Sequence, residues 1–291
     1  MTVVGFILYS SKAVLVKLAY QYDIDSVSLL LFRMLFALPF YVGVWLYHKK
    51  EWNARSLSKK ERLGILGIGI TGYYLSSFFD FKGLSYITAS LERLILYTYP
   101  TMVLILSAVF LRKKISLKMI LSILFTYAGM IIIFTDEGGI LTGNNEELLL
   151  GSIFVGLSAF FYASYMVISY AVVSGIGSIR LTTYSMIISC ILVFIHYFIT
   201  TNSNLLGYQA EVYLYSIGMA VFATVIPSFM INEGIKRLGA PNVSIIGTIG
   251  PVSTITLSIL LLGEMLTLTQ FGGGLIIIGG VAFLTWNRRK K

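Results

Sequence analysis

Apolar runs of about 20 residues recur along the whole chain, separated by short polar connections, and this repetition restricts the fold more than any motif does. In hydrocarbon every backbone N–H and C=O needs a partner inside the protein, so only helices and closed barrels span a bilayer. Unbroken apolarity is unlike the short alternating segments of membrane strands, which leaves helices. Ten runs can be placed, near 3–20, 27–47, 63–81, 86–111, 117–135, 148–173, 181–201, 212–232, 240–262 and 268–286. The expected fold class is an all-α polytopic membrane protein with ten transmembrane helices. Charged residues are only 12% of the 291 and hydrophobic ones 57%, unlike a soluble domain.

The net charge of +9 is no sign of a nucleic-acid partner, because the basic residues sit in short connections and alternate between them. With the amino terminus inside, the inner connections hold Lys49, Lys50, Arg55, Lys59, Lys60, Arg62, Arg112, Lys113, Lys114, Lys118, Arg180, Lys236 and Arg237, then Arg288, Arg289, Lys290 and Lys291. The outer ones offer only Lys82. By the positive-inside rule both termini are expected in the cytoplasm, in a multi-pass protein of the plasma (bacterial inner) membrane. The first apolar run lacks a basic leader and continues into further runs, so no cleavable signal peptide is expected. Cys190 is the sole cysteine, which excludes an intramolecular disulfide or a cysteine metal cluster.

The two halves repeat. Residues 83–100 (GLSYITASLERLILYTYP) align without a gap on 234–251 (GIKRLGAPNVSIIGTIGP), an offset of 151 that also pairs Gly5 with Gly156, Gly67 with Gly218, Ser77 with Ser228, Ala89 with Ala240 and Gly129 with Gly280. Five spans per unit is odd, so the second copy is expected to enter the membrane from the opposite side. The units are 1–136 and 148–288, two inverted five-helix repeats joined by an extracytoplasmic linker, 137–147.

On the stretch from Ala89 to Pro100 followed by 111–116, and on its twin from Ala240 to Pro251 followed by LGEMLTLTQFGGGLIIIGG, the chain resembles the EamA-type members of the drug/metabolite transporter superfamily. It departs from that pattern at Lys113, opposite Glu264 of the second copy. The resemblance implies a ten-helix carrier of small organic metabolites with a central cavity and cytoplasmic termini.

Charges at bilayer depth usually mark function. Glu92 and Arg33 lie roughly 9 Å below the outer boundary, and Lys12 roughly 14 Å from the inner one. Lys17 and Asp80 fall nearer the outer rim, and Arg93 lies about 100° around the helix from Glu92. Arg33 and Glu92 fit either an interhelical ion pair or a polar ligand. Lys12 has no acidic residue at helical spacing, so it must lose its proton or bind an anion. Ser158, Tyr162, Tyr165 and Ser169 share one helical face, which suits a cavity wall or interhelical hydrogen bonds. Tyr97 and Tyr99 close the polar half of the fourth run, and Pro100, Pro227 and Pro251 are expected to bend or break their helices.

The candidate substrate-binding residues are therefore Lys12, Arg33, Glu92, Arg93, Tyr97, Tyr99, Ser158, Tyr162 and Tyr165. Glu92 and Asp80 are the proton-coupling candidates, and Asn232 and Glu233 the inner-gate candidates. No Walker sequence is present, so a secondary carrier working by alternating access is expected, with no cofactor and no metal. Its expected partners are the bilayer and a small-molecule substrate, with protons as the candidate coupling ion. Basic residues outnumber acidic ones in the spans, which favours an amino acid or related carboxylate. The alternatives are a drug or other metabolite exporter, a channel or receptor, and an intramembrane enzyme. For the last, the two histidines, His48 and His196, are far apart and supply no catalytic constellation.

Overall fold

The computed structural model describes residues 1–110, 117–136, 146–201, 204–247, 249–265 and 267–285, and among them there is helix and no strand. In chain order the helices are α1 (Thr2–Tyr20), α2 (Ser26–Asn53), α3 (Lys59–Ile68), α4 (Ser76–Leu84), α5 (Ala89–Leu96), α6 (Tyr99–Phe110) and α7 (Leu117–Asp136). They continue as α8 (Glu146–Ile176), α9 (Ser178–Thr200), α10 (Ala210–Ala220), α11 (Ile226–Leu238), α12 (Ala240–Ile246), α13 (Ile249–Leu262) and α14 (Leu268–Thr285). π-Helical turns, Gly69–Leu75 and Val221–Val225, join α3 to α4 and α10 to α11. Among the described residues, six helical stretches are each long and apolar enough to cross a membrane: Thr2–Tyr20, Ser26–Asn53, Ala89–Phe110, Glu146–Ile176, Ser178–Thr200 and Ala210–Leu238. The remaining runs fold as α3–α4, α7, α12–α13 and α14. The residues 111–116, including Lys113, the linker 137–145 and the basic tail beyond 285 lie outside the described residues.

Local chemistry sets the helix starts. Asp25 accepts the N–H groups of Val27 and Ser28 at 2.9 Å and so caps α2. Ser58 and Glu61 close a reciprocal capping box on α3. The Ser58 N–H donating to the Glu61 carboxylate holds that group below the usual carboxylate range, with Arg55 helping. Thr88 caps α5 by accepting the Leu91 N–H at 3.2 Å. Tyr97 and Thr98 interrupt the fourth run, and Pro100 enters the first turn of α6, where its missing N–H costs least.

Helix starts are spaced alike in the two halves: Lys59 and Ala210, Ala89 and Ala240, Leu117 and Leu268 are each 151 residues apart. The neighbours correspond too. α1 packs on α10–α11 and α13, α8 packs on α3–α4 and α6, α2 packs on α9, and α7 on α14. In lipid, close approach rather than hydrophobic exclusion holds helices together, so small residues mark the contacts. Gly83 of α4 lets α8 come so near that an added Cβ would lie 2.5 Å from Val155 Cγ2 and 3.0 Å from the Gly151 carbonyl. Gly234 of α11 meets α1 the same way, 2.6 Å from Thr2 Oγ1.

Candidate functional site

The buried charges converge where α1, α2, α4 and α5 meet. Lys12 is 1% exposed and Asp80 fully buried, and their charged atoms lie 2.8 Å apart. The lysine also donates to the Tyr9 hydroxyl at 3.1 Å. This corrects two expectations: Lys12 is not a lone cation, and Asp80 is not at the rim. Its acid comes from α4, a partner that spacing along α1 cannot reveal. Arg33 donates to Ser77 Oγ at 2.8 Å and lies over the Phe81 ring, so the expected Arg33–Glu92 pair is not made. The reason is geometric, since α4 stands in reach of Arg33.

Glu92 instead faces its own neighbour, with Arg93 Nε 3.8 Å from Glu92 Oε2, although the helical angle separates them. Asp80 and Glu92 are both fully buried in this cluster, and beyond the Lys12–Asp80 ion pair their carboxylate oxygens have no hydrogen-bond partner among the described residues. Arg93 is 4% exposed, and its Nε and one terminal nitrogen have no hydrogen-bond acceptor among the described residues.

Tyrosines from both halves enclose the charges. Tyr9 lies under both Lys12 and Arg93, at 4.6 and 5.7 Å, and stacks on Tyr162 with ring centres 6.0 Å apart. Tyr162 in turn meets Tyr99 edge-on at 5.0 Å and Tyr165 at 5.4 Å. The hydroxyls of Tyr97 and Tyr162 are buried without a partner among the described residues. Tyr165 fits only because Gly72 opposite it has no Cβ; one would lie 2.5 Å from its ring.

Asn232 accepts from the Tyr165 hydroxyl at 3.0 Å and donates to Tyr73 and Thr182, both at 2.8 Å. It is thus fully buried in a hydrogen-bond knot, one residue from Glu233 on the vestibule wall. Ser158 bonds Ser76 on α4, the interhelical use of a hydroxyl. Sequence reading missed Tyr9, Tyr73, Ser77 and Thr182. Of these only Tyr9 left a signal, three residues before Lys12 on the same helical face.

The centre is nearly filled. Its voids hold about 10 Å³ beside Tyr97, Tyr99 and Arg93, and about 30 Å³ beside Arg33, Ser77 and Tyr165. That is room for a water or two rather than the expected central cavity. The large cavity, about 720 Å³, opens instead at the end that carries Lys236 and Arg237. Glu233 lines it, bonded to the Ser178 hydroxyl and 2.5 Å from Arg237 Nε. Between vestibule and centre, Tyr41 meets Ser228 at 2.9 Å and packs on Phe229. The opposite end is tied shut. Glu264 accepts the N–H groups of Ala89 and Ser90 at 2.8 and 2.9 Å and the Ser90 hydroxyl at 2.6 Å. Lys17 donates to the Leu84 and Ile87 carbonyls at 3.2 and 3.1 Å.

Comparison with known proteins agrees over the full length. The profile of the EamA-like transporter family matches residues 1–135 and 149–286. The uncharacterized transporter YcbK of Bacillus subtilis is 31% identical, over 99% of this chain and 93% of its own length. The uncharacterized transporter YyaM of the same organism is 26% identical, over 79% of this chain and 75% of its own. One solved crystal structure superposes with a TM-score of 0.71 at 17% identity, covering 98% of this chain and 97% of that one. That last likeness concerns the fold alone.

Proposed function

The chain belongs to the EamA-like transporter family, a multi-pass membrane protein of the drug/metabolite transporter type, and from that premise we propose a secondary carrier for a small carboxylate-bearing metabolite such as an amino acid. The observation that carries the proposal is the charge balance of the buried cluster. Lys12, Arg33 and Arg93 stand against Asp80 and Glu92, three cations to two acids, each at most 4% exposed. An uncompensated buried charge is costly, and a substrate carboxylate arriving beside Arg93 and the free hydroxyls of Tyr97 and Tyr162 would offset it. The substrate-binding set is then Lys12, Arg33, Glu92, Arg93, Tyr97, Tyr99, Tyr162 and Tyr165, with Ser158 holding α8 on α4.

Glu92 and Asp80 form the coupling pair. A proton taken up by either leaves the cluster with a larger positive excess and favours the anion, and its loss favours release. Alternating access follows from two inverted repeats of five spans each, ten in all. Exchanging each helix for its partner 151 residues away carries the packing of α1 on α10–α11 and α13 into that of α8 on α3–α4 and α6, as a twofold relation requires. With the basic connections cytoplasmic, the vestibule faces inward and the Glu264 and Lys17 ties close the outer side. Glu233, on the vestibule wall, and Asn232 beside it belong to the inner gate, together with Phe229.

The test is uptake of labelled amino and organic acids into proteoliposomes with and without an imposed pH gradient. Uptake should follow the gradient in the native protein and lose that dependence in Glu92→Gln. Arg93→Gln should weaken binding at least tenfold while leaving the Lys12–Asp80 pair intact. Uptake indifferent to the gradient, with Glu92→Gln at full rate, sinks the coupling; unchanged affinity in Arg93→Gln sinks the carboxylate.

A further inference from the structure

Away from the buried cluster, the vestibule and its neighbour on the membrane-facing side of α2 form one composite surface. The acids of the vestibule are already engaged: Glu51 with His48 at 3.1 Å, and Glu233 with Arg237 and Ser178. Lys236 and Arg180, on the same wall, make no ion pair among the described residues. Arg180 is only 7% exposed. One terminal nitrogen donates to the Trp52 and Arg55 carbonyls at 2.8 and 3.0 Å, yet its Nε has no acceptor among the described residues. The first turn of α9, which carries it, has no side-chain cap, so backbone N–H groups add partial positive charge beside the guanidinium.

A second cavity of about 510 Å³ runs along α2 and shares Val44 and His48 with the vestibule. Its walls are apolar side chains such as Phe40 and Tyr47, 48% and 85% exposed, and Gly43 has nothing within 4 Å to fill its floor. Pro39, which cannot donate to the preceding turn, lies inside α2 at the far end of this groove. An apolar trough on the lipid face that leads into a pocket with a buried, acceptor-seeking arginine has the chemistry of one amphiphile.

We propose that this composite site binds an anionic phospholipid, with its phosphate at Arg180 and Lys236 and an acyl chain in the α2 groove. The inference rests on the membrane reading above but not on transport, since lipid retention requires no turnover. The experiment is native mass spectrometry of the full chain in neutral detergent. The chain is titrated with phosphatidylglycerol and with phosphatidylcholine of the same acyl chains, beside a thermal-shift titration with inorganic phosphate. Phosphatidylglycerol should be retained at least fivefold better. Lys236→Gln, an exposed change that leaves the fold alone, should reduce that preference severalfold, and Gly43→Leu should lower retention by filling the groove. Equal retention of the two lipids, or a preference untouched by Lys236→Gln, overturns the proposal. So does phosphate binding that falls in Lys236→Gln while lipid retention ignores Gly43→Leu, because the site then serves a soluble anion. A failed uptake assay would count against the carrier and leave this result standing.

Discussion

The two halves share a scaffold but not a chemistry. Positions 151 residues apart show it: Lys12, Arg33, Asp80, Glu92 and Arg93 of the first half correspond to Ala163, Tyr184, Ile231, Val243 and Ser244 of the second. Helix starts, π turns and the break in the fourth run recur in both halves, whereas the charges occur once. Duplicated geometry is what the packing needs. Charges kept in one copy are what a single ligand site needs, because a mirrored second set would double the cost of burial. The second half answers with Tyr162, Tyr165 and Asn232, which close over the charges with rings and a neutral hydrogen-bond knot.

The largest break in this comparison should come from splitting the ion pair. Asp80→Asn leaves Lys12 buried without its acid and should cost about 3–5 kcal/mol in thermal or chemical unfolding. The double variant Lys12→Met with Asp80→Leu should recover most of that loss while abolishing coupled uptake. Recovery of uptake as well would make the pair purely structural. Next in size, Gly83→Ala and Gly234→Ala probe whether the two halves pack equally tightly. Gly83 is pressed by Val155 and a backbone carbonyl, so its alanine should cost about 1–3 kcal/mol. Gly234 meets the side chain of Thr2 near the chain start, which can turn away, and should cost less. Equal losses would contradict that difference.

Glu264→Gln tests the tie that the second half makes to the first. It weakens the charge-assisted acceptor for Ala89, Ser90 and the Ser90 hydroxyl, and a loss of about 1 kcal/mol is expected. Faster labelling of Ser258→Cys by an impermeant maleimide, in a Cys190→Ala background, should accompany it. The smallest effect concerns pH. Glu61 is held below its ordinary value of 4.5, so its contribution to stability is present above that value and fades as the pH falls through the lowered folded value. Melting curves of the native protein and Glu61→Gln should therefore differ near neutrality and converge in acid. A difference that grows in acid would reverse the sign.

Much of the fold was legible from residues because lipid imposes it. Unbroken apolar runs read directly as helices, and the 151-residue register of the sequence recurs in the starts of α3 and α10 and of α5 and α12. The cluster was legible only in part. Lys12, Arg33, Glu92 and Arg93 stood out as charges at bilayer depth, and all are buried as expected. Their partners did not stand out. For Arg33 the sequence suggested Glu92 or a polar ligand, and only the position of α4 showed Ser77 as its partner. Asn232 stood out as a polar residue near the end of its run, but its partners Tyr73, Tyr165 and Thr182 come from three other elements that spacing along α11 does not record.

The sequence alone thus determined the helical class, the duplicated plan and the burial of Lys12, Arg33, Glu92 and Arg93, since each follows from how single residues partition between lipid, protein and water. Tertiary structure alone decided the pairings, Lys12 with Asp80 and Glu264 with the start of α5, which join residues 68 and 175 positions apart. It also decided that the centre is closed while the basic end is open. Contacts between helices depend on how whole helices lie against one another, and helical spacing along one of them carries no record of that.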